Sequence, residues 1–448
     1  MQDAPSQRAP QKRLTLFDST CLIVGIIVGA GIYQMAPNIA KGAHDGWGVL
    51  LIWIAGGLIS LCGALGYAEL ASAYPQAGGD YVYLSRAYGG WAGFLFGWLQ
   101  LAVVRPGDIV VMAFAFATYA RALGDPLSGA GWPYSQQLYA SGAVVCLTVI
   151  NCLGVRQGKW TQNLLTLVKA LGLLAIVGVA LGSPGDGQST PTFETIPTSV
   201  AVILVLFTFG GWNEVAYVAA ELHAPRRNIL RALILGIAAV TCLYVMVNVA
   251  FLHALGYTGL AASDQVATDA VSAVFPRWGS RLISALVCIS ALGAVNGLIF
   301  TGARISYAVG ADHCAFGLLG TWSAKTGTPI RALVLQGLLA LTLIILLKDF
   351  VETVLYTAPA VYLFYMATSL AVVVLRRREP GVDRPYRVTG YPFTTLVFVA
   401  ACGFLIYSGI TYAIYVKEKP WIVLVPFAVM LAGIPLYILS RVLPARRN

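Results

Sequence analysis

The 448-residue chain is 58% hydrophobic and only 11% charged, with a mean hydropathy of +0.76. A water-soluble domain of this length has no core large enough to bury so much apolar surface, so the composition excludes a soluble fold and makes the bilayer the solvent. The net charge of +10 is spread over separated loops rather than gathered in one stripe, which excludes a nucleic-acid-binding surface and points to membrane topology.

Residues 1–18 are polar and basic through Leu14, with no apolar signal-peptide core, and read as a short cytoplasmic tail. A spanning helix needs about 20 apolar residues. Five such runs follow, near 19–40, 47–73, 91–120, 137–154 and 162–182, and form a first unit over 19–182. The loop from Gly182 to Thr198 holds no Lys or Arg and is rich in turn formers, which makes it an external divider. Five more runs, near 199–221, 232–255, 281–308, 332–347 and 353–375, form a second unit over 199–375. Runs near 394–415 and 421–440 add two helices within 392–441, before a C-terminal tail at 442–448.

Of the 29 Lys and Arg residues, Arg105 and Lys169 fall inside spans. With the N-terminus inside, the rest divide twenty to seven in favour of the cytoplasmic segments, which puts both termini in the cytoplasm. No Asn-x-Ser/Thr sequon occurs, which favours a bacterial inner membrane over a glycosylated cell surface. The eight cysteines are scattered with no CxxC pair, and His44, His223, His253 and His313 do not cluster, so no disulfide framework, metal site or cofactor is expected. The motifs of serine hydrolases, zinc proteases and phosphate-binding loops are absent, so an enzyme is not expected.

Two spans carry glycine clusters. Span one has Gly25, Gly29 and Gly31 within seven residues, and span six has Gly210 beside Gly211. Most membrane glycines serve close packing. These two clusters sit five spans apart, and matching interruptions in the two halves of a chain are the sequence pointer to a transporter site at an inverted-repeat interface. A half-helix that starts mid-membrane aims amide N–H groups at an anion, while the end of its counterpart frees carbonyls for a cation. A zwitterionic amino acid presents one of each.

The ordered motifs VGAGI at 28–32, YAEL at 67–70, VVRPGD at 103–108, NCLGVRQGKWTQN at 151–163, FGGWNEVAYVAAEL at 209–222 with PRRN at 225–228, and ALGAVNG at 291–297 with GARISYA at 302–308 cover nearly the whole chain. Together they resemble the amino acid, polyamine and organocation transporter superfamily, and within it the L-type amino acid transporters and their bacterial relatives. The resemblance implies an all-α polytopic membrane protein of LeuT-type fold, with two inverted five-helix repeats, twelve transmembrane helices, and helices one and six unwound. It also implies the substrate contacts. The carboxylate meets the N–H groups of Ala30 and Gly31, in the same turn as Gly29, and the ammonium meets the carbonyls of Ile27, Phe207, Thr208 and Gly210. Phe207 gates the site, and Trp212 and Asn213 shape the side-chain pocket.

Lys169 lies among apolar residues of span five and needs a partner there. In sodium-independent members of the family a lysine stands where sodium-coupled relatives hold Na⁺, which implies oxygens near Gly25, Val28 and Ser290 as its partners. Arg105 and Asp108 are three residues apart on one helical face and are expected to pair. Asp108 departs from the family pattern and otherwise reads a polar or cationic substrate side chain. Glu214 and Glu221, seven apart on span six, are expected to meet Arg226 or Arg227. The sequence thus predicts a sodium-independent exchanger or permease for small neutral L-amino acids, with a proton-coupled symporter or a carrier of cationic amino acids or polyamines as alternatives. The loop Arg121 to Gln136 has no cysteine for a disulfide-linked heavy subunit, so a functional monomer is expected.

Overall fold

The computed structural model describes residues 10–126, 134–183, 192–272, 274–346, 350–411, 414 and 421–442. The first nine residues, most of the Gly182–Thr198 loop, part of the Arg121–Gln136 loop and the last six residues of the expected C-terminal tail lie outside them.

The described residues are nearly all helical, with two isolated β-bridges. Among the described residues, nine helices are long and apolar enough to cross a membrane, and a tenth crossing is made if a bent pair counts as one. Shorter apolar helices at Ile330–Leu346 and Leu424–Ser440 occupy the places of the ninth and twelfth expected spans.

The helix α8, Val155–Leu181, shows how such a helix reads its surroundings. Its bundle-facing side carries Gln162, Thr166, Lys169, Leu173, Ile176 and Ala180, all buried. The opposite side exposes Leu164, Leu167, Val168, Leu171 and Leu174. Polar groups inside and leucines outside are what a hydrocarbon solvent dictates, since a polar group facing lipid costs several kcal/mol, on the order of an unmade hydrogen bond.

The bent pair is α1, Leu16–Ile27, and α2, Gly31–Lys41, which meet at 53°. Thr15 and Asp18 form a reciprocal capping box that starts α1. At the far end Val28 turns to φ −76°, ψ 74° and the helix stops. The sixth span is broken likewise. Helix α9, Thr198–Thr208, is followed by a turn through Gly211 at φ +104°, then by a 3₁₀ helix at Trp212–Glu221. A side chain at that φ is strained, so glycine is required there. Ten residues of 3₁₀ helix exceed the usual three or four and mark a segment held by its surroundings rather than by its own hydrogen bonds.

Helix α1 packs against the 3₁₀ helix and α2 packs against α9. The first half of one span therefore meets the second half of the other. The two run antiparallel with their breaks level. They are enclosed by α3 (Gly46–Ala73), α6 (Arg105–Leu123), α8, α10 (Pro225–Ala262), α12 (Gly279–Asp312) and α14 (Phe350–Arg378). A five-residue π-helical stretch at Gln100–Val104 precedes α6 and ends with Arg105 N–H donating to Gln100 O, five residues back, immediately before Pro106, which has no N–H to donate.

Candidate functional site

A cavity of about 140 Å³ lies between the two breaks. Span one supplies Ile26, Ile27, Gly29 and Gly31 to its wall, and span six supplies Phe207, Thr208, Gly210, Gly211 and Glu214. The remaining wall is Asp108, Val111 and Met112 of α6, Ala294 and Leu298 of α12, and Val361, Tyr362 and Tyr365 of α14. Helix α2 begins at this cavity with no side chain capping its N-terminus, so the amides of its first turn are available to an anion.

The carbonyls released at the end of α1 are divided between the scaffold and the cavity. Lys169 Nζ donates to Gly25 O at 2.8 Å, Val28 O at 2.8 Å and Ser290 O at 2.9 Å. All three donors of the ammonium are thus used, which is how a fully buried charge is accommodated. Ser290 contributes its backbone oxygen, while its hydroxyl donates to Val28 O at 2.8 Å and Gly29 O at 3.1 Å. Gly293 leaves room for the ammonium, because a Cβ there would sit 2.7 Å from Nζ. Ile27 O accepts from the Tyr244 hydroxyl at 2.9 Å and from the Gly29 N–H at 2.8 Å, which fixes the turn that ends α1.

Residues 14–434 fit the sequence pattern of the family described as amino acid permease. The chain belongs to the amino acid permease family. It is 31% identical over 439 residues to the mouse b(0,+)-type amino acid transporter 1, covering 96% of this chain and 88% of that one. It is also 32% identical over 455 residues to the rabbit large neutral amino acids transporter small subunit 2, covering 96% and 81%. This permease is therefore an amino acid transporter of the multi-pass membrane class, not an enzyme.

Not every residue expected at the site lines the cavity. In the permease Ala30 is fully buried behind Gly29 and Gly31. Trp212 faces a neighbouring smaller cavity together with Phe398 and Cys402. Asn213 is buried behind the wall, donating to the Tyr217 hydroxyl and accepting from the Tyr365 hydroxyl, both at 2.9 Å. The expected Arg105–Asp108 pair does not form. Arg105 Nη1 instead lies 3.0 Å from both carboxylate oxygens of Glu214, and Thr301 Oγ1 donates to Glu214 Oε2 at 2.5 Å. Glu221 meets Arg304 at 2.7 and 3.1 Å, not the PRRN arginines, and Arg226 pairs with Asp383 at 2.8 Å. A 3₁₀ helix turns 120° per residue, so positions seven apart point a third of a turn away from each other, and the two glutamates reach different helices.

Sequence reasoning also missed Asp80. This fully buried carboxylate at the start of α4, Asp80–Tyr88, accepts from the hydroxyls of Tyr67, Tyr217 at 2.7 Å and Thr368 at 2.6 Å. Through Tyr217 and Asn213 it reaches Tyr365 in the cavity wall. Its only sequence signal is an acidic residue after the Gly78–Gly79 turn. Met112, four residues after Asp108 on the same helical face, was recoverable from periodicity alone.

Proposed function

We propose that this permease moves small neutral L-amino acids across a bacterial inner membrane by alternating access, without sodium, as a monomer with both termini in the cytoplasm. The observation that carries the reading is the cavity bounded by both helix breaks. It is too small for a large side chain, and residues from both breaks form its wall. In this reading the substrate carboxylate takes the amide N–H groups of Ala30 and Gly31, and the ammonium donates to carbonyls among Ile27, Phe207, Thr208 and Gly210. Phe207 forms the gate above it. Trp212 and Asn213 act from behind the wall, Asn213 by holding Tyr365.

Sodium independence is supported by Lys169. Its ammonium already supplies a positive charge to the carbonyls at the end of α1 and to α12, so an inorganic cation has no oxygens left to bind there. The names of the relatives, with their b(0,+) and large neutral amino acid designations, support amino acids as the cargo. One of them is named as a small subunit, and this chain has no cysteine in the Arg121–Gln136 loop through which a disulfide-linked partner could attach there.

The test is radiolabelled alanine uptake into proteoliposomes, with and without internal amino acid, sodium and a pH gradient. Uptake in sodium-free buffer, accelerated by internal substrate, is expected. Strict dependence on sodium would refute the role given to Lys169, and dependence on a proton gradient would replace exchange by symport.

A further inference from the structure

Two carboxylates line the cavity, Asp108 and Glu214, and their circumstances differ. Glu214 is committed to the scaffold. Both of its oxygens contact Arg105 at 3.0 Å, and one also accepts from Thr301. Asp108 sits one helical turn beyond Arg105, but the guanidinium is turned to Glu214, and among the described residues no group donates a hydrogen bond to Asp108. A carboxylate that lines a membrane-buried cavity with no protein donor is expensive unless something in the cavity donates to it. Because Arg105 and Glu214 offset one another, Asp108 is the one of the two cavity carboxylates whose acceptor capacity is left to the cavity.

The cavity volume limits what the donor is attached to. An apolar cavity of about 150 Å³ accommodates benzene, roughly six heavy atoms. The volume here is about 140 Å³. Alanine has six heavy atoms, and a side chain one atom longer brings the count to seven. The backbone of the substrate is held at the breaks by peptide groups that cannot distinguish one amino acid from another, so telling a hydroxyl from a methyl falls to the side chains of the wall, and Asp108 is the uncommitted carboxylate among them.

We infer that Asp108 is a specificity-determining residue, selecting small amino acids whose side chain ends in a hydrogen-bond donor, serine above all, over apolar ones of the same size. This rests on the cavity between the breaks being the amino acid site. Serine and 2-aminobutyrate are the informative pair, because they have equal heavy-atom counts and differ by OH against CH₃.

Competition against radiolabelled alanine in proteoliposomes reads the effect with the full-length protein. Serine is expected to compete at least tenfold better than 2-aminobutyrate in the unaltered protein. In Asp108→Ala that ratio is expected to fall to within about twofold, and in Asp108→Asn, which keeps the shape and one acceptor oxygen, to an intermediate value. The ratio compares two ligands on one protein, so a general loss of stability does not move it. An unchanged ratio in both variants would overturn the assignment, as would a loss of all three substrates in equal proportion in Asp108→Asn. Stronger competition by 2,3-diaminopropionate, the ammonium counterpart of serine, than by serine itself would overturn the preference for a hydroxyl. Alanine uptake with no preference for serine in the unaltered protein refutes this inference alone. Absence of uptake of alanine, serine and 2-aminobutyrate alike refutes the cavity reading and this inference with it.

Discussion

Arg105 and Glu214, 109 residues apart in sequence, form a buried ion pair that ties α6 to the 3₁₀ half of the sixth span. The guanidinium also lies over the ring of Tyr217, 5.5 Å from its centroid. With the Arg304–Glu221 pair seven residues further on, the long 3₁₀ segment is fastened near both ends by buried arginines from neighbouring helices. This explains why a conformation with poor hydrogen-bond geometry persists over ten residues.

Removing one member of the first pair leaves its partner charged and buried. Glu214→Leu is expected to lower stability by about 3–5 kcal/mol, whereas the double variant Arg105→Met, Glu214→Leu recovers a large part of that loss. Thermal unfolding midpoints of the three proteins in one detergent check it. A double variant no more stable than Glu214→Leu alone would show that the uncompensated Arg105 charge is not the source of the loss.

Lys169 makes a different claim. Lys169→Ala removes three charge-assisted hydrogen bonds, two to carbonyls at the end of α1 and one to Ser290 O of α12, each worth about 1.5–3 kcal/mol. Loss of even one contribution of that size from the bound state weakens alanine binding about tenfold or more. Scintillation proximity binding is the measurement. Unchanged affinity with a lowered unfolding temperature would make Lys169 a purely structural residue.

How much of this was legible in the sequence depends on the range of the physics involved. Gly29, Gly31, Gly210 and Gly211 announced a departure from helix because a glycine's backbone preference is local. Lys169 stood out because a charge in an apolar run has few explanations. The partner of Arg105 was not legible. Nearest-turn spacing favoured Asp108, and the true partner lies on a segment whose 3₁₀ winding no residue type encodes; it is imposed by tertiary contacts. The same winding sets Trp212 and Asn213 behind the cavity wall, where the family resemblance implied that they shape the pocket. Asp80 was invisible for a related reason, since its three hydroxyl partners come from three separate segments.

Gly211 offers a sharper test of the break itself. Its φ of +104° is unfavourable for any side chain, and a Cβ there would lie 2.6 Å from Ile26 Cγ2 on the facing half-helix. Gly211→Ala is expected to cost about 1–3 kcal/mol and to weaken alanine binding, because both residues line the cavity. Equal stability and affinity in this variant would mean that the sixth span tolerates a regular helix at 209–211.

The start of α1 is latched to its neighbours. Asp18 accepts from Lys159 at 3.0 Å and Asn163 at 2.6 Å, while the backbone of Arg13 and Leu14 donates to Glu221 O at 2.8 and 2.9 Å. Cys21 is buried one turn further in. Releasing the latch with Asp18→Ala should raise the rate of Cys21 alkylation by N-ethylmaleimide about three- to tenfold, the scale of a partly exposed ion pair together with its hydrogen bond. The measurement uses a background in which the exposed Cys146, Cys242 and Cys314 are replaced. An unchanged rate would show that this end of α1 moves independently of Asp18.

The most direct measurement is an experimental structure of the protein with alanine bound. The account predicts the amino acid between the two breaks, its carboxylate within hydrogen-bond distance of amide groups at 29–31 and its ammonium facing carbonyls at 27 and 207–210. Alanine found elsewhere, or spans one and six running as continuous helices through residues 28–30 and 209–211, would contradict it.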